Sequence, residues 1–253
     1  MFQAVKDALE TLPPITLSEM DSVRLMDRTD TKFVFPVSLL PAVLHEVRDS
    51  YRSLVVSDTR LSKYETLYYD TADFDLYHRH HAGRSSRFKV RSRRYVESDL
   101  CFFEVKYRNN KGRTIKNRIR TPAIEDFISE HPARLLGELS NLDPATLQGT
   151  IWVNYQRATL VSKHTAERLT LDLGLTFRTA HQSIDFGKMV IAEVKREKAN
   201  SISPVISVFN QRRIRAGSIS KYCLGLISIH ASLRKNNFKE QLRHFQRILN
   251  NAA

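Results

Sequence analysis

Several stretches of the chain alternate between apolar and polar residues with a period of two, which is the pattern of a β-strand that buries one face. In the run RFKVRSRRY at 87–95, cations occupy every second position and apolar residues face the other way. The runs at 103–108 and 115–120 alternate similarly, and NNKG at 109–112 is typical of a hairpin turn. We therefore predict at least three strands, each with one apolar and one cationic face.

The same alternation predicts further strands along the rest of the chain. These lie at 27–35, 64–69, 151–160, 168–172 and 189–197. Their polar faces mix cations with single acids, as Glu193 and Lys195 do in the last of them. Because the chain contains neither an internal repeat nor a linker, we predict one α+β domain over 1–253 with mostly antiparallel strands.

Helices are predicted from apolar stripes at helical spacing and from capping residues that precede proline. The predicted helical segments lie within 1–20, 38–51, 121–147, 203–217 and 236–250. Ser38 is expected to cap the second of these, and Thr121 followed by proline to begin the third. Ser203 followed by proline is expected to begin the fourth, which Gly217 would end.

The chain carries an excess of positive charge that is concentrated in one segment. Its 253 residues include 40 Lys and Arg against 27 Asp and Glu, a formal net charge of +13, and the segment 79–120 alone holds 14 cations and three acids. Like charges on adjacent strands repel each other, so we expect the cationic faces to bind an anion. The alternative is a solvated outer face of the sheet. Nucleic acid is not the expected partner, because the aromatic residues alternate onto the faces opposite the cations, whereas a stacking platform needs both together.

Several other classes of protein are disfavoured. No apolar stretch approaches the roughly 20 residues that cross a bilayer, and we expect no secretory signal at the N-terminus. Cys101 and Cys223 are the only cysteines, and both lie in apolar surroundings. We therefore expect buried thiols and a cytoplasmic location. The cations of the C-terminal helix leave open a peripheral contact with an anionic membrane.

Four acids lie among the cations of the predicted strands, and they are the candidates for metal chemistry. They are Asp30, Glu104, Asp172 and Glu193. Familiar nucleotide, zinc and serine-hydrolase motifs are missing, and we expect the histidines to be ordinary surface or loop residues. Phosphoryl transfer needs fixed cations and a divalent metal, which often takes only one or two carboxylates from protein. Glu104 and Glu193 both occur as E-V-K, so each fits either this role or an ion pair with its neighbouring lysine.

A series of motifs, in order along the chain, resembles a known family. They read RTDTKFVF, LYYDTADFDLYHRHHAGRSSRFKVRSRRY, FFEVKYRNNKGRTIKNRI, VNYQR, RLTLD, AEVKRE and SISKYCLGL, over about residues 24–227. Together they resemble the polyphosphate polymerase domain of the VTC (vacuolar transporter chaperone) family, in the triphosphate tunnel metalloenzyme superfamily. The resemblance implies an α+β fold in which eight antiparallel strands form a closed β-barrel, the triphosphate tunnel, with flanking helices. Basic side chains would line this tunnel and bind a triphosphate with Mn²⁺ or Mg²⁺.

The resemblance also implies roles for residues at matching positions. Glu193 matches the metal-binding glutamate. The residues expected to act on the transferred phosphate are Lys32, Lys89, Arg91, Arg157 and Arg168. The residues expected to bind the substrate are Lys106, Lys116, Arg118, Tyr155, Lys195, Ser220 and Lys221.

The implied function is that of a metal-dependent phosphotransferase that moves the γ-phosphate of ATP onto the end of a phosphate or polyphosphate chain. Many hydrolases and cyclases of the superfamily open with ExExK, whereas this chain has Arg28, Asp30 and Lys32 at the equivalent positions. The loss of the first acid is a feature of polymerase-type members and favours transfer over hydrolysis. The alternatives are a hydrolase of tripolyphosphate or nucleoside triphosphates and a non-enzymatic polyphosphate-binding module. Export of a polymeric product would need a separate membrane partner.

Overall fold

A computed structural model of the chain describes residues 2–21, 28–197 and 202–251. The family resemblance begins within 22–27, and the first predicted strand starts at Asp27; both positions lie outside the described residues.

The described residues form an α+β structure with one large sheet and several helices. Its strands are β1 (Pro14–Ile15), β2 (Arg28–Pro36), β3 (Tyr51–Leu54), β4 (Ser62–Asp70), β5 (Arg87–Tyr95), β6 (Leu100–Arg108), β7 (Thr114–Thr121), β8 (Gln148–Ser162), β9 (Glu167–Arg178), β10 (Ser183–Asp185), β11 (Met189–Glu197) and β12 (Ala216–Gly217). Its helices are α1 (Phe2–Glu10), α2 (Leu17–Asp21), α3 (Leu40–Val47), α4 (Asp75–His81), α5 (Glu130–Leu139), α6 (Pro204–Gln211), α7 (Lys221–Ile229) and α8 (Lys239–Asn251). Every predicted strand corresponds to one of these strands.

The sheet is antiparallel along its main path, which runs β12-β2-β11-β9-β8-β4-β5-β6-β7. Three short strands lie off this path, and β1 pairs with β3 in parallel. The path ends at β12 on one side and at β7 on the other, and no strand pair in the part of the chain that the structure describes joins these two ends. The expected closed barrel of eight strands is therefore not confirmed. The observed sheet has more strands and two edges.

The sheet nevertheless curls until strands that are distant in its order face each other. Lys32 of β2 and Lys106 of β6 line the same cavity, of about 490 Å³. Six strand spacings separate β2 from β6, which is roughly 29 Å in a flat sheet at about 4.8 Å per strand. Only strong curvature brings both side chains to one cavity. The polar faces of the strands therefore line the inside of the curl.

The apolar faces of the strands pack outward against the helices, and this packing forms the core. Val43 and Val47 of α3, with Leu171 and Val194 of the sheet, belong to one cluster of fully buried residues. Helices α7 and α8 pack on another part of the sheet, and α5 covers β4 to β6. Since each strand alternates, burying these residues turns the charged positions into the curl.

Three helix boundaries differ from those that local sequence signals predict. Ser38 lies inside a 3-10 turn and makes no capping hydrogen bond, and α3 begins only at Leu40. Thr121 pairs with Cys101 as the last residue of β7, so strand pairing overrides its capping signal. Gly217 belongs to β12 and pairs with Lys32, because the preceding helix ends earlier, at Gln211.

Candidate functional site

The carboxylate of Glu193 is held between two lysines on the inside of the curl. Its oxygens lie 2.8 Å from Lys32 Nζ and 2.8 Å from Lys195 Nζ. Strand pairing produces this contact, because Lys32 lies directly opposite Glu193 in the register of β2 and β11. Lys195 also donates to Asp30 at 2.9 Å. Burial opposes ionisation of Glu193, but the two lysines hold its pKa well below its usual range, so the carboxylate stays charged.

Glu104 forms a second group of this kind on the opposite side of the curl. It is 1% exposed, and its oxygens lie 2.6 Å from Arg91 and 2.6 Å from Lys116, on the two neighbouring strands. Although burial opposes ionisation, Arg91, Arg93 and Lys116 lower the pKa of Glu104 to about 2. The ion pairs of Glu104 are thus with residues on adjacent strands, and no ion pair with the Lys of its own E-V-K run is found among the described residues.

Asp172 forms a third group, in which an arginine lies against aromatic rings. Arg157 donates to both oxygens of Asp172, from Nε at 2.6 Å and from a terminal nitrogen at 2.8 Å, and Lys221 also contacts this carboxylate. The Arg157 guanidinium lies 5.0 Å from the ring centre of Tyr64 and 5.3 Å from that of Tyr155. This bidentate and stacked geometry is one that lysine could not reproduce.

The N-terminus of α7 carries two more of the predicted residues, Ser220 and Lys221. Ser220 is the N-cap of this helix, since its Oγ accepts from the backbone N–H of Cys223 at 3.3 Å. The same Oγ accepts a hydrogen bond from Lys89 Nζ at 3.0 Å. Burial lowers the pKa of Lys89 to about 8, and the neighbouring cations Lys106 and Arg91 add to this effect.

The ion-pair groups of Glu193, Glu104 and Asp172 and the N-terminus of α7 adjoin two cavities. We call the two cavities, with the residues that line or contact them, the central space. The first cavity, of about 490 Å³, is lined by four of the predicted residues: Lys32, Lys89, Lys106 and Ser220. The second, of about 630 Å³, is lined by five more: Lys116, Arg118, Arg157, Arg168 and Lys195. The remaining four contact these residues or their partners: Arg91, Tyr155, Lys221 and Glu193. The structure thus brings all thirteen predicted residues together.

Sequence reasoning missed some residues of the central space. His80 was expected to be an ordinary surface or loop residue, but it belongs to α4 and lines the first cavity, where burial and the cations Lys89 and Arg87 lower its pKa to about 3. Nothing in the spacing of the histidines indicates this position. Tyr64 and Tyr68 could have been found, because both lie on one face of the predicted strand at 64–69. Tyr68 accepts a hydrogen bond from Arg91 at 3.0 Å.

The acids of the central space fit a divalent metal that takes most of its ligands from phosphate. No cluster of three or more metal-ligating side chains occurs among the residues that the structure describes. Glu193 and Asp30 are brought together by Lys195, which contacts both. One or two carboxylates are what Mg²⁺ or Mn²⁺ requires from protein when phosphate oxygens complete its shell. A cation on Glu193 would replace one of its two lysine contacts.

A comparison with protein-family models matches residues 27–230 to the VTC domain. The chain belongs to the VTC domain family. The match covers most of the chain and includes every residue of the central space named above. A comparison with curated proteins found no match.

Solved structures also resemble this VTC domain, at low identity. A protein from Hippeastrum, described as a candidate adenylyl cyclase with a dominant triphosphatase activity, is 15% identical, with a TM-score of 0.49 over 80% of this chain and 96% of its own. A candidate adenylate cyclase from Vibrio parahaemolyticus is 12% identical, with a TM-score of 0.48 over 79% of this chain and 99% of its own. At these values, family membership rests on the domain match alone. None of the described helices of the VTC domain combines the length and apolar character needed to cross a bilayer.

Proposed function

We propose that this VTC domain is a metal-dependent phosphotransferase that moves the γ-phosphate of ATP onto the end of a phosphate or polyphosphate chain. One observation carries the proposal: three carboxylates, of which Glu104 and Asp172 are fully buried, fix six cations around the central space. The six are Lys32, Lys195, Arg91, Lys116, Arg157 and Lys221. Cations that are fixed before the substrate arrives need no reorganisation when charge develops on the phosphates.

The proposed reaction joins two anions that repel each other. An oxygen of the acceptor phosphate forms a bond to the γ-phosphorus, the bond from this phosphorus to the β–γ bridging oxygen breaks, and ADP leaves. Arg91 and Arg157 neutralise the transferred group, and Lys89 and Lys106 hold the acceptor in line. Mg²⁺ or Mn²⁺ on Glu193, with Asp30 nearby, would supply a Lewis acid that neutralises phosphate oxygens when bound.

We assign the nucleoside to the second cavity. Tyr64, Tyr95 and Phe102 line it together with apolar residues such as Leu100 and Val56. Aromatic and apolar walls suit a purine base. The first cavity also carries cations, such as Lys89 and Lys106, but fewer aromatic and apolar residues line it, so it suits a chain of phosphates. ATP would therefore enter from one end and the growing chain would leave from the other.

A hydrolase of tripolyphosphate or nucleoside triphosphates is the second candidate, with water as the acceptor. It uses the same cations and the same metal, so the arrangement of charges alone does not separate it from the transferase. The Arg28 position favours transfer, because fewer acids at the start of β2 leave more positive charge for a second anion. The acceptor that reaches the γ-phosphate decides between the two reactions.

The experiment incubates the purified protein with ATP and Mn²⁺ and follows the products by ³¹P NMR, with a metal-free control. A resonance from internal phosphates of a growing chain supports the transferase. Orthophosphate alone supports the hydrolase. No turnover, with polyphosphate still protecting the protein against heat, leaves a non-enzymatic binding module.

Glu193→Gln tests the metal assignment in the same assay. The variant keeps the shape of the side chain but loses the charge that would hold a divalent cation, so metal-dependent turnover should be lost. Glu65→Gln is the matched control, because Glu65 is an exposed acid that pairs with Arg94 outside the central space. Full activity of Glu193→Gln would rule out this carboxylate as the metal ligand.

We further propose that the reaction takes place in the cytoplasm and that a separate membrane protein exports the product. Cys101 and Cys223 are both buried free thiols, which suits a reducing compartment. Fractionation of cells, with the protein followed by antibody, tests the location.

A further inference from the structure

Three exposed cations lie just outside the first cavity, and we call them the outer rim: Arg84, Lys111 and Arg113. They are carried by two neighbouring loops, one that precedes β5 and one that joins β6 to β7. Ser85 Oγ lies 3.0 Å from Asn110 Oδ1, so the two loops are in direct contact. Asn109 Oδ1 accepts from the Arg113 backbone N–H at 2.9 Å, which fixes the second loop as a tight turn.

The outer rim is continuous with the first cavity. Arg87 and Arg108, at the adjoining ends of β5 and β6, line that cavity and lie opposite each other in the strand register. Arg87 donates to the backbone carbonyl of Arg84 at 2.7 Å. A line of positive charge therefore runs from Lys89 and Lys106 inside the cavity, past these two arginines, to the loops outside.

The charge along this line is not balanced by acids. In the central space each acid is shared by cations, whereas no ion pair to Arg84, Lys111 or Arg113 is found in the described part of the chain. Asp75, which lines a surface pocket together with Arg84, pairs with Arg79 at 2.9 Å. An uncompensated row of cations that leads out of a cavity is suited to a long linear polyanion.

We propose that the outer rim binds the part of a linear polyphosphate chain that extends beyond the first cavity, so that the protein holds long chains more tightly than short ones. This inference rests on the proposed function, because it takes the ligand of the central space to be a chain of phosphates. Single-stranded nucleic acid is less suited to the rim. The aromatic rings of the two strands that lead to it, Phe88 and Tyr107, stack on each other with centres 4.5 Å apart and lie on the strand face opposite Arg87. A base would need an aromatic ring on the cationic face.

The test measures binding of two probes by calorimetry without ATP: tripolyphosphate, which fits within the cavity, and linear polyphosphate of long, uniform chain length. The variant combines Arg84→Ala, Lys111→Ala and Arg113→Ala. The matched control combines Arg48→Ala, Arg134→Ala and Lys163→Ala, which removes the same charge from exposed positions elsewhere. We expect the rim variant to bind the long chain about tenfold more weakly than wild type, with little change for tripolyphosphate and little effect of the control on either probe.

Salt dependence gives a second readout. Each contact between a cation and a polyanion releases counterions. Loss of the three rim cations should therefore make the slope of log affinity against log salt shallower by about 2 for the long chain. An equal loss for both probes, or an equal loss in the control variant, would overturn the rim assignment alone. Failure of wild type to bind either probe would overturn the proposed function together with the rim. If an RNA oligonucleotide bound through the rim and the long polyphosphate did not, the ligand class would be wrong.

Discussion

At the scale of single residues, Glu104 links the stability of the fold to the charge of the central space. It is 1% exposed and pairs with Arg91 and Lys116 at 2.6 Å each. The change Glu104→Gln leaves Arg91 without its counter-charge, and breaking a buried pair from one side costs about 3–5 kcal/mol. We expect the free energy of unfolding in urea to fall by about that amount.

The pH dependence of stability reports the same residue. The pKa of Glu104 is lowered from 4.5 to about 2 in the folded protein, so its contribution is fully present above about pH 4.5 and is lost as the pH falls through about 2. The change Glu104→Gln should flatten this part of the profile. Glu65→Gln is again the control, because Glu65 and Arg94 are 41% and 42% exposed and such a pair contributes at most about 1 kcal/mol. Equal losses of stability in Glu104→Gln and Glu65→Gln would show that the buried Glu104 contributes no more to stability than an exposed ion pair.

At the scale of elements, a buried hydrogen-bond network holds α7 in place beside β4 and α4. The Asp70 carboxylate accepts from the backbone N–H of Leu76 and Tyr77 at 2.8 and 2.9 Å and also from the Tyr222 hydroxyl. Since α7 presents Ser220 and Lys221 to the central space, we expect Tyr222→Phe to cost about 1–3 kcal/mol of stability. It should also weaken tripolyphosphate binding by roughly tenfold in calorimetry.

The matched control for this change is Tyr69→Phe. The Tyr69 hydroxyl is also buried and donates to the Glu125 carbonyl at 2.6 Å, and its hydrogen bonds to described residues, with Glu125 and Ser92, do not involve α7. We expect a similar loss of stability with unchanged tripolyphosphate binding. If both variants bound tripolyphosphate equally well, the network would be a stability feature only.

The strands were predictable from sequence, whereas the helix boundaries and the partners of the acids were not. A period-two pattern decides which residues share a face, so it placed Lys89, Arg91 and Glu193 on polar faces correctly. It does not determine which neighbour an acid meets, because register and curl decide that. Glu104 therefore pairs across strands with Arg91. Thr121 shows the same limit, since pairing with a distant strand outweighs a local capping signal.

At the scale of the whole molecule, the curl of the sheet makes cations of distant strands face each other across the central space. Lys106 approaches Lys32 and Lys195 from across the central space; burial lowers its pKa, as do Arg91 and these two lysines, although Glu193 opposes the change. An anion bound between the two sides would relieve this repulsion, so tripolyphosphate should stabilise the fold. At about 100 times its Kd it would add about 2.7 kcal/mol, which raises the Tm by about 5–10 °C for a chain of this size.

Thermal unfolding, with and without tripolyphosphate at fixed ionic strength, measures this effect. Lys32→Ala and Lys106→Ala remove cations from opposite sides of the curl, so each should abolish most of the shift. Lys163→Ala, in an exposed turn after β8, should leave it unchanged. An equal shift with sulfate, or a shift that survives both inner variants, would mean that the anion binds to the surface. If the Tm shift requires both Lys32 and Lys106, the bound phosphates contact both sides of the curl. The ligand would then link two parts of the sheet that no strand pair between β12 and β7 joins among the described residues.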